Sequence, residues 1–246
     1  RFLKGLGGVT LALPFFESLL PRAAWGQSMR HRFLMVPAVR VMQKEGIDNA
    51  VTAAKNLGIT SLKNPQSYGL SLALGSAEVP LMQMTHAYAG FANGGNQVDL
   101  ADIASIENKY GQPIFTSSKK SHQAISQAGA YLISNILSDT QAKSRIFGNS
   151  LTVYGTDGKQ KNVAVKTGTT DEARDAWTIG YTTDIAVGVW TGNNDNSPMR
   201  SGGSDMAGPI FKAMMKQAIG SNNPQFAQPA TVVKATVCSG EGTTTD

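Results

Sequence analysis

The chain has 246 residues, 41% of them hydrophobic, and its 22 Lys and Arg against 17 Asp and Glu leave a net charge of +5. The basic excess is small and scattered, with no Lys/Arg stripe interleaved with aromatics, which argues against a nucleic-acid partner. A single cysteine, Cys238, and three dispersed histidines, His31, His86 and His122, exclude a disulfide framework and give no spacing for a metal centre, so no cofactor is expected.

Residues 1–35 differ from the rest of the chain. Arg1-Phe2-Leu3-Lys4 opens on positive charge, a Gly/Leu/Ala/Val run extends to Phe16, and small residues at Ala24 and Gly26 precede Gln27. That is the pattern of a secretory leader cleaved before Gln27. The alternative is an amphipathic helix packed on the domain. From Val36 apolar residues recur at helical spacing through Leu57, and Gly58 suits the position just past a helix end. Residues 59–76 read as a polar loop ending in a turn at Gly75. Glu78 to Asn93 reads as an amphipathic helix carrying Val79, Leu81, Met82, Met84, Ala87, Tyr88 and Phe91. His86 lies on it with no second functional residue in step, so it reads as a hydrogen-bonded side chain near the core edge, not as a base.

A hairpin comes next, Ile103–Glu107 and Pro113–Phe115 about a turn at Asn108–Gly111. Gln127–Leu137 is a further helix, ended by Ser138-Asp139 and succeeded by a loop to Gly148. Three strands come after it, marked by Val163-Ala164-Val165, by Arg174–Tyr181, and by Ile185–Trp190. A Gly/Asn/Ser loop runs from Asn193 to Gly203. The last helix spans Ala207–Ile219, with Met214 and Met215 expected to fill core. Beyond it the chain is polar apart from Thr231–Val237, and either a loose tail or one added strand is expected there.

The first of the three strands carries Lys166-Thr167-Gly168-Thr169. Lys supplies a point charge with three donors, Thr a hydroxyl beside it, and Gly removes the Cβ so that a ligand backbone can lie against the strand. The backbone N–H of Thr169 would then meet an acyl oxygen. The plain alternative is a surface strand with a solvated lysine and two turn threonines.

The wider context favours the first reading. K-T-G is one of three signatures of β-lactamases and penicillin-binding proteins, beside S-x-x-K and S-x-N. The block Lys166–Trp190, the stretch Tyr68–Gly75 with Glu78-Val79-Pro80-Leu81, and Ala87–Gly95 resemble bifunctional (class A) penicillin-binding proteins in family order, over about Val36 to Met215. The resemblance implies an α+β fold: an antiparallel sheet flanked by helices, here incomplete. It divides the chain into 1–35 as leader-like or unrelated, 36–218 as the C-terminal portion of a transpeptidase-like domain, and 219–246 as a polar tail. It implies D,D-transpeptidase chemistry on peptidoglycan at the extracytoplasmic face of a bacterial inner membrane, with a stem peptide or β-lactam as ligand. Lys166 and Thr167 would contact the substrate carboxylate, Gly168 would permit close approach, and Thr169 would lend its N–H to the oxyanion site. Trp177 reads as core and Asp175 as a strand-end hydrogen-bonding residue.

Two motifs depart from the family. The S-x-N that should precede Val36-Pro37-Ala38-Val39 is replaced by Phe33-Leu34-Met35. The one Ser-x-x-Lys, Ser117-Ser118-Lys119-Lys120, sits in a polar turn on the wrong side of the matching blocks, and the one Ser-x-Asn, Ser221-Asn222-Asn223, comes after K-T-G. No catalytic residue is therefore assigned. The expectation is a truncated transpeptidase that keeps its substrate-binding strand but cannot acylate alone. Two alternatives stand beside it: a non-enzymatic fusion or binding remnant, and a domain completed by a partner chain that supplies the nucleophile.

Overall fold

The computed structural model describes residues 38–118 and 120–235. The leader-like segment, Phe33-Leu34-Met35, Lys119 and Cys238 lie outside the described residues. In chain order, helical residues 38–45 form α1, followed by α2 (Ile47–Asn56), two 3-10 turns (Pro65–Ser67, Leu70–Leu74), α3 (Leu81–Ala92), β1 (Asn96–Val98), β2 (Ser105–Glu107), β3 (Pro113–Thr116) and β4 (Ser121–Gln123). Then come α4 (Gln127–Ser138), α5 (Thr140–Phe147), β5 (Ala164–Thr169), β6 (Asp175–Tyr181), β7 (Ala186–Gly192), α6 (Gly203–Met206) and α7 (Gly208–Ile219). Among these helices none is long and apolar enough to cross a membrane.

The organising layer is the antiparallel sheet β5-β6-β7. Side chains alternate across it. Ala164, Lys166 and Gly168 oppose Tyr181, Ile179 and Trp177 and so share one face with them. That face meets α2, α3 and α4 in a core of Val51, Leu57, Tyr88, Phe91, Leu137, Ile179 and Tyr181. The opposite face carries Val165, Val187 and Val189 and packs on Phe211, Met215 and Ile219 of α7. Those three recur every four residues, which puts them on one side of the helix. Each fully buried large apolar side chain contributes roughly 1.5–3 kcal/mol, so the sheet is held from both sides.

Local chemistry sets the helix ends. The Ser126 side chain accepts from the Gly129 N–H at the start of α4, and Pro209 lies in the first turn of α7, where no intrahelical N–H is needed. Tyr181 is fully buried, with its ring edge-on to Tyr88 at 6.0 Å and to Phe226 at 5.6 Å. Its hydroxyl meets Ser134 Oγ at 3.0 Å. Burial pushes the phenols of Tyr88 and Tyr181 well above their ordinary range.

Several local expectations change. The loop expected after α4 is a helix, α5: the Asp139 side chain accepts from Ala142 N–H and starts a new helix where it was expected only to end the old one. No residue of α5 is fully buried, and of its half-buried side, Thr140, Lys143, Ile146 and Phe147, only two are apolar, so the period is weak in the chain. Three-residue strands β1 and β4 pair antiparallel and were not foreseen, since such short polar segments carry no alternation. The stretch 59–76 contains the two 3-10 turns and buries Ile59, Leu62 and Ala73. Met215 is buried as expected, but Met214 is half exposed, being on the outer side of α7. Residues 231–235 form no strand. His86 behaves as expected: its Nε2 meets Val98 O at 2.7 Å.

Candidate active site

The β5–β6 pairing sets the geometry around K-T-G. Thr170 N–H donates to Asp175 O at 3.1 Å. Antiparallel ladders alternate, so Gly168 and Lys166 bond to β6 while the main-chain N–H and C=O of Thr167 and Thr169 turn away from it. β5 has one strand neighbour among the described residues, so this outward row lies on a sheet edge. Lys166 is 8% exposed and Thr167 3% exposed. The Lys166 ammonium donates to the outward-facing Thr167 carbonyl. The Thr167 hydroxyl is buried and has no hydrogen-bond partner among the described residues. Gly168 has room for a Cβ, which would meet Trp177 Cβ at 3.5 Å, an ordinary contact. The protein's own packing therefore does not demand glycine at 168.

The far end of β5 is clamped. Asp175 accepts from Trp190 Nε1 at 2.8 Å and from Thr170 Oγ1 at 3.0 Å, while its own N–H donates to Thr170 Oγ1 at 2.7 Å. This is the strand-end hydrogen-bonding role read for Asp175. Trp177 is partly buried and packs against the helix-side core. The β5–β6 turn holds Glu172 and Ala173 at φ 58° and 54°, a conformation uncommon outside glycine. Arg174 spans it, paired with Glu172 and donating to Asn196 O, and Met199 N–H donates to Ala173 O at 3.0 Å.

The loop 193–203 is thereby tied to the tip of the hairpin. Its end reaches β5 as well: Gly203 N–H donates to Thr169 Oγ1 at 3.0 Å, and Thr178 Oγ1 donates to Gly203 O at 2.8 Å. A Cβ on Gly203 would come 2.3 Å from Trp177 O and 2.7 Å from Gly168 O, so only glycine lets the loop approach this closely. Within the loop, hydrogen bonds from Ser197 hold the Asp195 carboxyl below its ordinary range. Sequence reasoning saw this segment only as a Gly/Asn/Ser-rich loop. The Gly202-Gly203 pair ahead of a helix was the available signal.

The four residues Lys166, Thr167, Gly168 and Thr169 thus stand together on one edge strand. The other motif matches lie elsewhere. Ser117 comes directly after β3, whose partner is β2, and Ser118 and Lys120 are exposed. Ser221 and Asn223 come after α7 and contact Lys161 and Asn162, ahead of β5.

Comparison with known proteins shows which family the chain resembles. A family model described as the penicillin-binding protein transpeptidase domain matches residues 34–216. Penicillin-binding protein 1B of Haemophilus influenzae is 28% identical over 204 residues, covering 82% of this chain and 25% of its own length. PonA1 of Mycobacterium tuberculosis, solved in complex with penicillin V, aligns with a TM-score of 0.64 at 26% identity, over 85% of this chain and 58% of that one. Penicillin-binding protein 1A of Haemophilus influenzae aligns with a TM-score of 0.68 at 21% identity, over 91% and 38%. The chain spans about a quarter of the length of the curated relatives it matches.

Proposed function

Because the chain belongs to the penicillin-binding protein transpeptidase domain family, we propose that β5 is the substrate-binding strand of a D,D-transpeptidase-type site. Its ligand is the carboxylate-bearing end of a peptidoglycan stem peptide or of a β-lactam. The observation that carries this reading is the register of β5: K-T-G lies on a sheet edge, with the N–H of Thr169 turned away from β6. A ligand amide laid along that edge meets the donor at its acyl oxygen. Lys166 and Thr167, whose hydroxyl has no partner among the described residues, contact its carboxylate, and Gly168 presents no side chain to obstruct it.

Acyl transfer also needs a serine nucleophile and a base. These 246 residues contain no S-x-x-K at the family's place. Acylation at this site would need a serine supplied by another segment or a partner chain, and these residues alone are expected to bind without acylating. Its place of work, by this reading, is the extracytoplasmic face of a bacterial inner membrane.

Fluorescent penicillin binding tests the proposal. Weak, reversible binding is expected, with no covalent adduct by mass spectrometry. A charge-assisted contact contributes roughly 1.5–3 kcal/mol, so Lys166→Ala should weaken binding by about one to two orders of magnitude. Ser117→Ala should change nothing. Equal affinity of wild type and Lys166→Ala would remove K-T-G from the account. A stoichiometric adduct on any serine would overturn the non-acylating part.

A further inference from the structure

The segment after α7 lies beyond residues 34–216, the span matched by the family model. It has neither helix nor strand from 221 to 235, yet it is fastened along its first nine residues. Gly220 O accepts from Thr156 N–H at 2.9 Å. Ser221 O accepts from Lys161 Nζ at 2.7 Å, an ammonium that is buried and also paired with Asp157. Asn223 Oδ1 accepts from the main-chain N–H of Asn162 at 2.7 Å, and Gln225 Oε1 from Asn162 Nδ2 at 3.0 Å. Phe226 then packs against the ring of Tyr181, and Gln228 Oε1 accepts from Tyr131 OH of α4 at 3.2 Å.

The path has a consistent sense. It starts on α7, which packs on one face of the sheet, and ends at Tyr181 and α4, which belong to the core on the other face. It crosses the end of the sheet at the two residues, Lys161 and Asn162, that lead into β5. Lys143 of α5 holds the next residue, donating to Val163 O at 3.1 Å. The entry to the K-T-G strand is thus gripped at three successive residues, two of them by this segment.

We propose that residues 220–228 are a positioning strap: by fixing the lead-in of β5 they set the place of Lys166 and Thr167, four to five residues further on. The strap is a positioning element and touches no ligand. The part of this inference that concerns binding rests on the site proposed above, and the part that concerns the strand does not.

Full-length variants separate the two. Asn223→Ala deletes the acceptor for the Asn162 amide, whereas Asn223→Asp keeps it. Loss of one such bond should speed hydrogen exchange at amides 162, 164, 166 and 168 by about fivefold. Amides of α3 and β7 should stay at wild-type rates, and Asn223→Asp should restore protection. Penicillin affinity should fall about threefold in Asn223→Ala, and recover in Asn223→Asp, with the melting midpoint little moved. Phe226→Ala should repeat the local exchange pattern from the strap's other end. A uniform rise across α3 and all three strands, or no rise at those amides, would overturn the strap as a positioning element. Faster exchange with unchanged affinity would also overturn it, leaving a purely structural tie. Failure of the wild type to bind penicillin would sink the site, and the exchange pattern would still decide the strap.

Discussion

The hairpin β2–β3 and the sheet β5–β7 are built alike and used differently. Both are antiparallel, and both carry β-branched and aromatic residues. In β2 and β3 every residue is exposed, with Phe115 at 47% and Ile114 at 69%. In β5 the first four residues are buried, Lys166 among them. Helix layers on two faces make the difference. A two-stranded ribbon alone is marginally stable in water, whereas a covered sheet resists local opening. A lysine and a threonine can be held in fixed places only in the second kind of strand. That is also why Ser117-Ser118-Lys119-Lys120, beside the exposed hairpin, carries no weight as a catalytic motif.

The comparison is broken most forcefully at Tyr181. Tyr181→Ala removes a fully buried ring that joins α3, α4 and Phe226, and should cost about 3–5 kcal/mol in denaturant unfolding. A loss under about 1 kcal/mol would mean that the two-sided core does not hold the sheet.

A smaller effect is expected at Lys143, which braces the lead-in to β5. Burial pushes its ammonium down to about 8 from 10.5, against a weaker opposing pull from Asp139. Below about pH 8 both folded and unfolded chains carry the proton, and the burial cost is present in full. Between about 8 and 10.5 the unfolded chain binds more protons, so this group makes stability rise with pH. The buried phenols act oppositely near pH 10, because unfolding frees them to ionise. The clean measurement is therefore the stability of wild type minus that of Lys143→Met between about pH 7.5 and 9.5. It should increase with pH, and a flat difference would show that the contact with Val163 does not bury the charge.

The smallest effect belongs to the hairpin. Phe115→Ala should shift stability by no more than about 0.5 kcal/mol. A loss comparable to that of Tyr181→Ala would show that the hairpin is packed in solution, and would erase the contrast.

Much of the molecule is legible in the chain alone. The three strands marked by Val163–Val165, Arg174–Tyr181 and Ile185–Trp190 and the helix Ala207–Ile219 all form, although that helix buries Met215 and leaves Met214 half exposed. K-T-G is legible because its chemistry is local: charge, hydroxyl and a missing Cβ in three consecutive residues. Helix α5 and the pair β1–β4 are not, because α5 turns only Ile146 and Phe147 of its apolar residues inward and β1 and β4 are three residues each. The Asp139 cap and strand pairing also hold them.

By itself, then, the sequence determined the order of the family's blocks and, through that resemblance, the α+β class, and it named Lys166, Thr167, Gly168 and Thr169 as candidate site residues. Only the tertiary structure decided which backbone groups of β5 face the open edge, since register depends on the partner strand. Only the tertiary structure tied Gly203 to Thr169, residues 34 apart, and Asn223 to Asn162, residues 61 apart. Single hydrogen bonds across such separations leave no periodic trace in a chain, and they form only once the cores on both faces have brought the segments together.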